Sequence, residues 1–96
     1  MPRKTGVKPA LKTVKFSLSA PHAKSVYLVG DFNDWVPTET PLKLEKKSGT
    51  WKSSLKLKPG KYQYKFMVDG EWWTDPNCPD WIWNEHGTHN SVVAVD

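Results

Sequence analysis

At 96 residues the chain has room for one domain around a single modest core and not for two. Six tryptophans are more than such a core hides, because each is bulky and carries an indole N–H that needs a partner, so some are expected at the surface, where an aromatic cluster marks a ligand or a partner. The net charge of +4 comes from Arg3, Lys4, Lys8, Lys12 and Lys15; residues 16–96 hold nine basic against ten acidic side chains, which excludes a basic nucleic-acid surface spread over the folded part.

Residues 1–12, MPRKTGVKPALK, have too few apolar positions to offset the entropy of ordering and read as a flexible basic leader, so the domain is expected over 13–96. From there the apolar pattern has the two-residue period of strands. In TVKFSLS, Val14, Phe16 and Leu18 share one face, and Ala20-Pro21 ends the run. SVYLVG at 25–30 is almost continuously apolar, as suits a strand covered on both sides. Trp51, Leu55 and Leu57 share a parity in TWKSSLKL, which Pro59-Gly60 closes as a turn.

In YQYKFMV at 62–68, Tyr62, Tyr64, Phe66 and Val68 share one face, and Gln63, Lys65 and Met67 the other. Asp69-Gly70 supplies the two positive-φ positions of a type I′ hairpin turn. A two-residue loop fixes the register: Val68 opposite Glu71, Met67 opposite Trp72, Phe66 opposite Trp73 and Lys65 opposite Thr74. If Phe66 points to the core, Trp73 is expected there too, and Trp72 stands outside near Lys65. DPNCPDWIWNEHGTHN reads as irregular, and SVVAVD at 91–96 as a last strand. Short strands with turn signals between them predict an all-β, antiparallel two-sheet sandwich, with a small open barrel as the competitor.

A glucose ring has a polar rim and a face of C–H bonds, and that face lies flat on an indole while the rim needs donors and acceptors. Trp72 and Lys65 offer both on one face, although on the pattern alone a solvated lysine beside a tryptophan that covers the sheet is the favoured reading. The segments VYLVGDFNDW (26–35), GKYQYKFMVDGEWWTDP (60–76) and NEHGTHNSVVAV (84–95) resemble family 48 carbohydrate-binding modules, the isoamylase early-set domains that include the glycogen-binding domain of the AMP-activated kinase β-subunit. The resemblance implies an immunoglobulin-like sandwich that binds α-1,4-glucans such as glycogen, starch, maltodextrin or cyclodextrin without turning them over. It places stacking tryptophans at Trp35 and Trp72, a hydroxyl-binding lysine at Lys65, and polar ligands at Thr88 and Asn90. His86 replaces a leucine of the kinase-type domain, so that contact does not carry over. Trp81 and Trp83 have no counterpart and either widen the aromatic surface or pack beneath the loop. Asn33 is expected to shape the loop that presents Trp35.

Other chemistries are weaker. His86 and His89 are spaced H-x-x-H with Cys78 and Asp80 upstream, which could be drawn as a metal site, but the segment reads as loop rather than a helix that puts both on one face, so the signal is weak and no metal or cofactor is expected. Asp31, Asp34, Asp69, Asp75, Asp80 and Glu85 read as turn chemistry rather than a hydrolytic pair, and no phosphate loop or nucleophile motif appears; the chain is not expected to be an enzyme. The competing functions are a protein partner on the Trp-rich surface and single-stranded nucleic acid, which the near-neutral 16–96 disfavours. The lone Cys78 points to a reducing, cytoplasmic compartment, and no apolar run reaches the length of a membrane span; a monomer is expected.

Overall fold

In the computed structural model, which describes residues 11–96, the period-two segments become strands. They are β1 (Lys12–Ser19), β2 (Val26–Gly30), β3 (Thr40–Pro41), β4 (Lys43–Glu45), β5 (Thr50–Leu57), β6 (Gly60–Val68), β7 (Glu71–Trp73), β8 (Trp81–Trp83) and β9 (His89–Val95), with one 3₁₀ turn at Asp31–Asn33. One sheet has the order β1-β5-β4 and the other β3-β2-β6-β9-β8, with β7 also paired to β6. All pairings are antiparallel, and the sheets form the expected β-sandwich.

The inward parity of each long strand fills the space between the sheets. Phe16 and Leu18 from β1, Trp51 from β5, Val26 and Leu28 from β2, and Tyr64, Phe66 and Val68 from β6 are all buried. Burying each large apolar side chain contributes roughly 1.5–3 kcal/mol. The polar atoms that come with them are satisfied. The Trp51 indole donates to the Ala20 carbonyl at 2.9 Å. The Tyr64 hydroxyl donates to Asp75 at 2.6 Å. Burial first, and then this hydrogen bond, push the Tyr64 phenol far above its usual ionisation range, so it remains a donor.

The hairpin register holds: Val68 faces Glu71, Met67 faces Trp72 and Phe66 faces Trp73. Asp69 and Gly70 both have positive φ, at 48° and 85°. The ladder ends there, so the expected Lys65–Thr74 pair is not part of it. Trp73 corrects an expectation. It shares the face of Phe66 but is 40% exposed, beside Pro21, His22 and Ala23, because β7 is bonded only to β6 and Trp73 lies outside the buried cluster. The segment read as irregular contains β8, whose three exposed residues show no polar alternation to reveal a strand. β3 and β4, of two and three residues, also fall below what periodicity detects. The leader lies outside the described residues up to residue 10, and Lys12 already belongs to β1.

Candidate functional site

The site is assembled from three turns on one outer face of the larger sheet. The first follows β2. A Cβ on Gly30 would lie 2.5 Å from the Gln63 carbonyl oxygen and 2.8 Å from Tyr64 Cβ, so only glycine lets β2 turn this close to β6. The chain then passes through Asp34 and Trp35 in left-handed conformations, with φ of 55° and 59°. Each such non-glycine residue costs roughly 1–3 kcal/mol, which the surroundings must offset.

Asn33 supplies part of that support: its Oδ1 accepts from Gly30 N–H at 3.1 Å, and its Nδ2 donates to the Leu28 carbonyl at 2.8 Å and to Thr40 Oγ1 at 3.0 Å. This is the loop-shaping part expected of it. The Trp35 N–H donates to the Gly30 carbonyl at 3.0 Å. Its indole N–H donates to Asp31 Oδ1 at 2.9 Å, and Asp31 Oδ2 accepts the Gln63 backbone N–H at 2.7 Å. Asp31 therefore ties the ring of Trp35 to the frame of β6.

The second turn is Asp69-Gly70, which sets Trp72 on the outer face, 49% exposed, opposite Met67. The third joins β8 to β9 through Asn84–Thr88. The Asn84 side chain is its hub: Oδ1 accepts from the N–H groups of His86 at 2.9 Å and Thr88 at 3.2 Å, and Nδ2 donates to Thr88 Oγ1 at 2.8 Å and Asn90 Oδ1 at 3.0 Å. Gly87, at φ 80°, lets the loop close.

These turns surround one open concavity of about 730 Å³, walled by Trp35 and Trp72, with Lys65, His86, Thr88 and Asn90 between them. Lys65 is only 9% exposed and donates to Thr88 Oγ1 at 3.1 Å, so it is no ordinary solvated lysine. Asn90 donates to Gln63 Oε1 at 3.1 Å. A continuous hydrogen-bonded chain thus runs from Trp35 through Asp31, Gln63, Asn90, Asn84 and Thr88 to Lys65. Such a network fixes polar groups before any ligand arrives. Sequence reasoning gave no site role to Asp31, Gln63 or Asn84. The outer-face parity of Gln63 was the one available signal.

Trp81 and Trp83 are not brought into the concavity. They are 51% and 65% exposed, and β8 pairs Ile82 with Asn90 and Trp83 with His89, so alternation turns both indoles to the opposite side of the sheet. His89 packs against Trp81 at 4.7 Å and Trp83 at 5.9 Å, while the Cys78 thiol donates to the Val92 carbonyl at 3.2 Å. Among the described residues no three His, Cys, Asp or Glu side chains converge on a point that would hold a metal ion. Two carboxylates line the concavity, but Asp31 spends both oxygens on Trp35 and Gln63, and the Glu85 side chain is almost fully solvated.

The family model described as the glycogen recognition site of AMP-activated protein kinase matches residues 13–96. The 5'-AMP-activated protein kinase subunit beta-1 of Sus scrofa is 39% identical over 72 residues, covering 75% of this chain and 55% of that protein. Protein PTST homolog 2, chloroplastic, of Arabidopsis thaliana is 40% identical over 74 residues, 76% of this chain and 13% of that protein. Protein FLOURY ENDOSPERM 6, chloroplastic, of Oryza sativa subsp. japonica is 36% identical over 85 residues, 88% of this chain and 15% of that protein. The chain thus spans about half the length of the first of these relatives and under a sixth of the two plant proteins. Since two of them are named chloroplastic, the cytoplasm is not a family property; among the described residues no helix is long and apolar enough to cross a membrane. With its β-sandwich fold and a family match over 13–96, the chain belongs to the glycogen-recognition family of carbohydrate-binding modules.

Proposed function

We propose that the concavity binds α-1,4-linked glucose chains without turning them over. The observation that carries this reading is the pair of indoles, Trp35 and Trp72, walling one concavity that holds Lys65, Thr88 and Asn90. Successive glucose rings lay their C–H faces on the two indoles, and the hydroxyl rims turn toward the polar groups. Thr88 Oγ1 already accepts from Lys65 and Asn84, which leaves its hydroxyl hydrogen for a sugar oxygen. Lys65 keeps two of its three N–H donors beyond the one given to Thr88. His86 stands on the rim and adds a polar edge where the kinase-type domain has an apolar one.

Turnover would need two free carboxyl groups held across the scissile bond. Asp31 is committed to bracing Trp35, which speaks for recognition alone. An open site loses much of its stacking gain to ordering and dehydration, so affinity is expected between about 1 mM and about 1 µM. Titration with maltoheptaose or β-cyclodextrin, followed by tryptophan fluorescence, tests the reading. A saturable response lost in Trp72→Ala supports it, and a flat response at millimolar sugar overturns it.

A further inference from the structure

Trp83 is the most exposed of the large apolar side chains among the described residues, and the concavity makes no use of it or of Trp81. Their rings are nevertheless fixed. Trp81 and Trp83 meet edge to face, with centroids 5.3 Å apart and planes at 88°, and His89 packs against both. Two indoles held at a right angle form a corner with an exposed face, already ordered and therefore cheap to use in binding.

The position of this corner says what would reach it. β8 is the last strand of its sheet, and Trp83 is followed directly by Asn84, Glu85 and His86, which form one rim of the concavity. A polymer leaving the concavity over that rim meets an open sheet edge with no further described strand beyond it. Ile82, opposite Asn90, is the exposed β8 side chain on the concavity's side of that edge, and the indoles of Trp83 and Trp81 stand on its other side. A protein partner is the less economical occupant. A stable protein interface covers about 800 Å² on each side, whereas two half-exposed indoles offer roughly 200–300 Å². One glucose face needs a single indole.

We propose that Trp83 and Trp81 form a second contact for the glucan held in the concavity, one that wraps the β8 edge and favours long chains over ligands confined to the concavity. This rests on the glucan reading of the concavity itself. β-Cyclodextrin is a closed ring with no end to pass over the rim, whereas an amylose chain of about twenty glucose units extends past it; titrating both against the full chain separates the contacts. Trp81→Ala/Trp83→Ala is expected to bind amylose about fivefold more weakly and to hold β-cyclodextrin within about twofold of the unsubstituted chain. Trp83→Ala alone, at the more exposed indole, is expected to show the same direction if the double variant folds poorly. Unchanged amylose affinity in a folded variant would overturn the second contact and return the corner to a protein partner. Equal losses on both ligands would overturn it too, since they would place the effect inside the concavity. If the unsubstituted chain binds neither sugar, the concavity reading itself fails, which is a different result.

Discussion

Trp35 sits on left-handed backbone that a bulky side chain does not favour, so the local chain alone does not hold its ring in place. Asp31 does, with one oxygen on the indole N–H and the other on the Gln63 N–H. Removing that carboxylate leaves the plate present but free to turn, and the cost of ordering it then falls on binding. Asp31→Ala is expected to weaken maltoheptaose binding about fivefold, close to 1 kcal/mol, with Asp31→Asn intermediate because it keeps one acceptor. Sequence register placed Trp72 outward by counting alone. It did not reveal Asp31 as a brace, because that contact depends on the path through the 3₁₀ turn and two positive-φ residues, which no periodicity encodes. The same holds for Asn84, whose partners are defined only once its loop has closed.

Among the elements, the β6–β7 hairpin could be read because strict alternation meets a turn dipeptide with one preferred geometry. The outward face of Trp72 followed from it, and so did the shared face of Phe66 and Trp73. Burial did not follow, since register decides which side a residue faces and the reach of the opposite sheet decides whether anything covers it. Phe66→Ala is expected to cost about 3–5 kcal/mol, and Trp73→Ala about 1 kcal/mol, measured by urea or thermal unfolding. Near-equal losses would mean that Trp73 is covered after all. Gly70, at φ 85°, has open space around a prospective Cβ, so Gly70→Ala should cost only the left-handed penalty of about 1–2 kcal/mol. β8 was unreadable for the opposite reason: W-I-W has no polar position to break the symmetry, and its strand character comes from pairing with β9.

For the molecule as a whole, strand spacing and turn signals were enough to predict two antiparallel sheets, because a sheet with one apolar face must bury it against another layer. How far each layer extends was not encoded in that pattern: the larger sheet has six strands against three, and on its inward face the indoles of Trp73, Trp81 and Trp83 are left exposed, whereas the concavity lies on its outer face. Charge separates the ligand classes that such indoles serve. Residues 16–96 carry nine basic and ten acidic side chains, and Asp31 and Glu85 line the concavity with Lys65, so its field does not favour a polyanion. A neutral glucan displaces no condensed counterions. Its dissociation constant is therefore expected to change by less than about twofold between about 50 and about 500 mM NaCl. A single-stranded nucleic acid on the same indoles would lose affinity by orders of magnitude over that range, because each phosphate contact releases a counterion. Calorimetric titration of maltoheptaose and of a single-stranded oligonucleotide at both salt concentrations decides between them: sugar binding that salt leaves unchanged supports the glucan, and a steeply salt-dependent oligonucleotide response with none for the sugar would mean that charge, rather than stacking and hydroxyl recognition, drives binding at this site.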